Sequence, residues 1–209
     1  MPPGLRVLGE QRVLLENISW HLFESLLEAL GEDRSSRLAY DQGALEIMTP
    51  LLPHEHSKRL IEKLIDILVE ELNLNIKSIG SMTCKRKDVS RGIEPDSGFY
   101  IQNEPLVRDR QEIDLDRDPP PDLMLEVDFS NSSLNKLPIY SALGVTEIWR
   151  YAEGNLQIYQ LQQGKYIPVN DSPAFAIPLT EIPRFLEQSN QIGEAQMLRA
   201  FRVWVREQL

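Results

Sequence analysis

The chain has 209 residues, 42% hydrophobic and 26% charged, proportions of an ordinary globular protein long enough to bury a sizeable core. Its formal net charge of -10 argues against broad, non-specific adhesion to nucleic acid. A lone Cys84 excludes an internal disulfide or a cysteine-rich zinc site. No apolar run is long enough to span a bilayer and Met1-Pro2-Pro3 opens no signal peptide, so no membrane partner and a cytoplasmic location are expected.

In chain order, Ser19 is expected to cap a helix over Trp20–Leu30, with Trp20, Phe23, Leu27 and Leu30 on one face and Gly31 as its stop. Arg37–Tyr40 and Ala44–Met48 predict two strands joined by a turn at Asp41-Gln42-Gly43. Glu46 lies between Leu45 and Ile47, so alternation sets it on the face opposite them, as a functional acid or a solvated one. The clearest helical pattern runs from Glu55 to Leu72, through Leu60, Ile61, Leu64, Ile65, Leu68, Val69 and Leu72. His54 and His56, two apart, share no helix face and have no third nitrogen or sulfur ligand, which makes them first-turn surface residues.

A strand is expected over Ile76–Cys84, followed by a basic cluster of Lys77, Lys85, Arg86, Lys87 and Arg91. Those bases either contact phosphates or belong to a solvated loop. Then come two apolar runs with acids embedded in them, Glu94–Ile101 and Pro121–Asp128, separated by a charged, proline-rich loop. From Glu94 to Asp128 the chain carries eleven acids against three arginines. An ionised carboxylate taken out of water costs several kcal/mol, on the order of a whole interaction or more, unless a cation, proton or hydrogen bonds compensate. Asp96 and Glu126, on adjacent strands with converging oxygens, would suit a hard divalent cation; the alternative is that both face solvent from a half-exposed sheet. Leu123, Leu125, Val127 and Phe129 alternate against Asp122, Met124, Glu126 and Asp128, so the three acids share a face that something must neutralise.

Ser130–Ser133 offer caps for a helix over residues 132–143 with Gly144 after its last turn, although Pro138 moves the start toward Lys136 or kinks the helix there. Strands follow over Thr146–Tyr151, Leu156–Leu161 and Lys165–Val169. Thr180 is expected to cap a short helix to Gln188. Gly193 precedes a final amphipathic helix with Met197, Phe201, Trp204 and Val205 inward.

The order helix, three strands, helix, strand from Glu55 to Tyr151 resembles the restriction-endonuclease-like core of the PD-(D/E)XK nucleases. More closely, the chain resembles the Uma2 family (the DUF820 group), abundant in cyanobacteria. The matching text is Glu94-Pro95-Asp96 with Phe99-Tyr100-Ile101, then Asp118 through Asp128, Lys136, Ile139-Tyr140 and Leu143 through Tyr151. Glu46 with Met48-Thr49-Pro50 and His54-Glu55 fits the family's front end. The resemblance implies an α/β (α+β) fold, a mixed central sheet flanked by helices in one domain. Its core would lie at about 37–161, with residues 1–36 as an N-terminal extension and 162–209 as a C-terminal strand and helices. It implies a metal-dependent endonuclease hydrolysing DNA phosphodiesters, with Asp96 and Glu126 ligating one or two Mg2+ or Mn2+ ions. The family's lysine normally stands two residues after the second acid. Here that place is Asp128, and Lys136, reaching back from the next helix, is the candidate substitute. Glu46 completes the candidate catalytic set. Such nucleases often act as homodimers, for which the C-terminal helix is the candidate interface. The alternative from another class is a nuclease-fold binding or assembly module that no longer cuts.

Overall fold

The computed structural model describes residues 11–31, 34–128, 134–175 and 177–209. It opens with β1 (Gln11–Leu15), a strand inside the segment expected to be an extension, and α1 (Trp20–Leu30). Ser19 caps α1 by accepting the Leu22 N–H at 3.2 Å. Phe23 is the buried residue of this helix, while Leu30, expected inside, is 44% exposed. The expected hairpin forms from β2 (Arg37–Asp41) and β3 (Ala44–Thr49). Gln42 and Gly43 both take positive φ, 48° and 109°, whose twist matches that of the flanking strands. α2 (Leu52–Glu71) starts ahead of its predicted Glu55 because Pro53 suits a first helical turn, where no amide donor is needed.

β4 (Lys77–Gly80), β5 (Cys84–Arg86), β6 (Arg91–Ile93) and β7 (Ser97–Tyr100) follow. The single strand expected over Ile76–Cys84 is two pieces in different sheets, because Gly80 turns the chain at φ 54°. The run Glu94–Ile101 is also shorter as a strand than expected: Glu94-Pro95-Asp96 carries the chain from β6 in one sheet to β7 in the other.

A short α3 (Glu104–Val107) precedes β8 (Leu123–Asp128), and α4 (Leu137–Leu143) leads to β9 (Glu147–Ala152), β10 (Asn155–Gln162) and β11 (Lys165–Val169). α4 starts near Lys136, with Pro138 in its first turn; Phe129 and the expected caps Ser130–Ser133 lie outside the described residues. α5 (Ile182–Ile192) starts after Thr180 and has no side-chain cap, and α6 (Glu194–Glu207) ends the fold.

The first sheet runs β1-β3-β2-β6-β5, antiparallel throughout. The second runs β11-β10-β9-β8-β7-β4, antiparallel except for the parallel pair β8–β9 that α4 connects. Leu38, Tyr40 and Leu45 of the first sheet close on Phe23, whose ring stacks on Tyr40 at 4.7 Å. The opposite face contributes Ala39, Cys84 and Ile93, which meet Met124 and Ile148 of the second sheet and Ile139, Tyr140 and Leu143 of α4. Beyond the second sheet, Leu123, Leu125, Val127 and Trp149 pack on α2, α5 and α6. Each such large apolar side chain contributes roughly 1.5–3 kcal/mol by leaving water.

β8 is therefore buried on both faces, and its acids look into the protein rather than out of a half-exposed sheet. The apolar face of α6 (Met197, Phe201 and Val205) is likewise filled from within the chain. No helix among the described residues is long and apolar enough to cross a membrane.

Candidate active site

The pairing of β7 with β8 sets Ser97 opposite Leu125, so Asp96, one residue ahead of β7, comes level with Glu126. Asp96 Oδ2 accepts the Val127 N–H at 2.7 Å, which anchors the carboxylate beside Glu126. His54 Nε2 lies 3.1 Å from the same oxygen. His54 is thus fully buried, which corrects its expected place on the surface. The reason is its helical phase: His54, Ile61 and Leu68 are seven residues apart and share one stripe of α2. His56, on the other side, stays half-exposed.

Glu126 accepts two hydrogen bonds, one from Lys136 Nζ and one from Tyr140 Oη. Lys136 and Tyr140 stand one helical turn apart, with the Tyr140 N–H on the Lys136 carbonyl at 3.1 Å, so one edge of α4 delivers both donors. Asp128 is held by Arg150 Nε of β9 at 2.8 Å and by Arg12 of β1 at 3.4 Å. Arg12 also donates to Glu46 at 2.9 Å, and the Leu134 N–H reaches the other Glu46 oxygen at 3.2 Å. Lys136 therefore meets Glu126 directly and Asp96 comes level with Glu126, whereas Glu46 is tied to Asp128 through Arg12.

Other acids and bases have local duties. Asp122, on the predicted acidic face, accepts the Ile101 and Asn103 N–H groups at 2.7 and 2.9 Å and closes the loop after β7. Glu94 takes the Leu38 N–H at 2.9 Å and the Thr83 hydroxyl at 2.7 Å, and pairs with Arg34. In the basic cluster, Lys85 is on Glu24 at 2.8 Å, Arg91 on Asp41 at 2.7 Å, and Arg86 on Asp88 at 3.1 Å.

Burial alone would raise the Asp96 carboxyl, but the His54 contact, the Lys136 charge and the Val127 N–H together hold it below its ordinary range. Glu126 goes the other way. Burial, opposed by Lys136 and reinforced by the charges of Asp96 and Asp128, pushes it up to about 7. Lys136 is held protonated well above neutrality, because the charges of Glu126, Asp96 and Asp128 outweigh the burial that would release its proton. The Tyr140 phenol is raised by burial and by Glu126, and stays a donor. The site therefore has more negative charge than its lysine offsets, which is the condition a further cation relieves.

Among the described residues no group of three or more His, Cys, Asp or Glu gathers closely enough to hold an ion by itself. Asp96 and Glu126 fit the smaller demand of an Mg2+-like ion, which keeps several waters and takes one or two carboxylates plus substrate oxygens. Tyr140, His54, Arg12 and Arg150 are the site's residues that sequence reasoning missed. For two of them a signal was present: Tyr140 is four residues from Lys136, and His54 is in phase with the apolar stripe of α2.

Two acids level with each other, one just ahead of β7 and one on β8, and a lysine at the start of the helix linking a parallel pair are the arrangement that the resemblance to restriction-endonuclease-like folds implied. The model of the Uma2 family, described as "Putative restriction endonuclease", matches residues 20–185, and the chain belongs to that family. Among solved structures, the chain is similar to "a putative nuclease belonging to DUF820" from Anabaena variabilis ATCC 29413. The match has a TM-score of 0.54 at 15% identity and covers 87% of this chain and 99% of that one, a likeness of fold. No curated protein matches the chain.

Proposed function

We propose that this nuclease-family chain is a divalent-metal-dependent endonuclease that hydrolyses DNA phosphodiesters, with Asp96 and Glu126 as the ion's protein ligands. The observation that carries the reading is the Asp96 carboxylate fastened to the Val127 amide beside Glu126, with Lys136 on Glu126. A bound Mg2+ or Mn2+ would supply Lewis-acid charge at the phosphate and a more acidic water. The chain's own residues do the rest. His54 and the Val127 amide orient Asp96, and Tyr140 orients Glu126. Lys136, being firmly protonated, serves as a fixed cation for the charge that develops on the phosphate and for aligning the attacking water, not as a base. Arg12 pairs with both Glu46 and Asp128 and so ties the two acids together.

The test is supercoiled plasmid incubated with purified protein and Mg2+ or Mn2+. Asp96→Ala and Glu126→Ala should each abolish nicking or linearisation, and cleavage surviving either change removes the assignment. A second reading, a binding module that no longer cuts, is favoured by Asp128 standing where the family's lysine is expected. It is selected by DNA retention at low salt without any metal-dependent cleavage.

A further inference from the structure

A cleft of about 670 Å³ is bordered by Arg34, Arg37, Lys77 and Arg110, with Glu94 and Glu112 as its acids. Four cations against two anions is an unusual local balance in a chain of net charge -10. The pairing inside it leaves the surplus in two places. Arg34 and Glu94 neutralise each other, and Glu94 has the Leu38 amide and Thr83 hydroxyl besides. Lys77, by contrast, donates among the described residues to backbone carbonyls, those of Val107 at 2.8 Å, Arg108 at 3.2 Å and Arg110. Neutral oxygens position that ammonium, and the Glu104 carboxylate feels its charge without pairing with it. Arg37 Nε is buried with no hydrogen-bond partner among the described residues, and no ion pair to Arg37 is found among them. A guanidinium nitrogen out of water and unbonded costs about 1–3 kcal/mol or more, so a turn of the side chain that brings Arg37 Nε to a ligand in the cleft is favoured.

The chain itself links the cleft to the acids, since Glu94 on its wall stands two residues before Asp96. Arg37 pairs with Met48, and Ala39 with Glu46, so Arg37 and Glu46 point from the same face of the first sheet on diagonal positions.

We infer that this cleft is a phosphate subsite that takes a phosphodiester flanking the one to be cut, with Arg37 as its direct ligand and Lys77 as its supporting charge. This rests on the nuclease reading for the identity of the strand, not for the anion chemistry. A forked guanidinium suits two phosphate oxygens at once, and the planar donor explains an arginine here rather than a lysine.

The experiment uses the full chain in EDTA, where the proposed chemistry is silent. Binding of labelled single-stranded and duplex oligonucleotides is followed by anisotropy between about 50 and about 200 mM salt. Arg37→Gln should weaken binding about tenfold and lower the salt slope by about one. Lys77→Gln, which keeps a donor for the loop carbonyls, should act in the same direction. Lys165→Gln, on the far edge strand of the second sheet, is the charge-matched control, and an equal loss there overturns the subsite. A second measurement stands even if a variant misfolds: the Arg37 Nε–H resonance of the unmodified chain, titrated with oligothymidylate and with inorganic phosphate. It should move with the oligonucleotide. Movement with inorganic phosphate alone overturns the strand contact in favour of a free-phosphate site, and no movement with either overturns the subsite. Plasmid cleavage is scored separately. Cleavage absent with Arg37-dependent binding intact removes the nuclease reading and leaves the cleft, while the reverse result removes the cleft alone.

Discussion

Glu126 is the residue whose titration the fold should report. Its carboxyl is pushed up to about 7 from an ordinary 4.5, chiefly by burial, with Lys136 opposing and the charges of Asp96 and Asp128 adding. Between these values the unfolded chain has released the proton and the folded chain has not. The stability linked to it is therefore complete below pH 4.5 and is lost as pH rises through about 7, amounting to about 3 kcal/mol by mildly alkaline pH. Asp96 has the opposite sign in a lower window: held below its ordinary 3.8, it favours the fold above that pH and loses its effect in acid. Glu126→Gln keeps the side chain's shape and removes the titration. Urea unfolding in EDTA, from about pH 4.5 to about pH 8, measures both chains, and the groups they share cancel in the difference. The variant should gain about 3 kcal/mol on the parent across that window, with the urea slope unchanged. Mn2+ at the alkaline end should then restore the parent by mass action and the variant less. Parallel stability curves in EDTA would refute the argument that Glu126 is buried amid surplus negative charge.

Lys136→Met leaves the buried Glu126 without its cation and should destabilise the fold by about 3–5 kcal/mol at pH 8, read by the same unfolding assay. Plasmid cleavage should fall to background, with Lys136→Arg recovering stability but little activity. His54→Ala removes the imidazole from Asp96 and should reduce metal affinity or cleavage about 10–100-fold, as measured by Mn2+ titration calorimetry and plasmid nicking. His54→Gln, which restores a donor, should recover part of either. Gly92→Ala would set a methyl 2.8 Å from two carbons of the Phe23 ring; since that ring is stacked on Tyr40 and enclosed, the change should cost about 1–3 kcal/mol in thermal or urea unfolding.

The parts of this fold that were legible in the sequence are those whose periodicity is local. α1 with its Ser19 cap, the β2–β3 hairpin with its Gln42-Gly43 turn and the apolar stripe of α2 each declare themselves within a few residues. What was not legible depends on where the chain changes partners. Nothing between Ile76 and Ile101 marks that Gly80 and Glu94-Pro95-Asp96 are transfers between two sheets, because a strand segment reads alike in either. β1 is a short edge strand with Val13 54% exposed, and it lacks the alternation that would have announced it. The site divides on the same line. Asp96 and Glu126 were readable as acids where acids are costly, and Lys136 through the resemblance to nucleases. Arg12, contributed by β1, and Arg150, contributed by a register across β8–β9, become neighbours of Asp128 only once the sheets assemble.

That division bears on how the site works. A lysine two residues beyond the second acid would be held on the same strand face at about 6–7 Å, a distance the backbone alone sets. Here the lysine comes ten residues after Glu126, and the strand position belongs to Asp128, neutralised by Arg150 and Arg12. The Glu126–Lys136 distance is therefore set by how α4 docks, through Ile139, Tyr140 and Leu143 in the core between the sheets. The backbones that carry the acids are fixed by β7 and β8, and Asp96 hangs from a strand amide, whereas the Glu126 carboxylate is oriented from α4. Local opening of one short helix, which frays more easily than a central strand, would remove the lysine and Tyr140 together and free the Glu126 carboxylate while leaving Asp96 in place. On the proposed reading the strands would carry the ion's ligands, and α4 is the element through which the completing charge would be gained or lost.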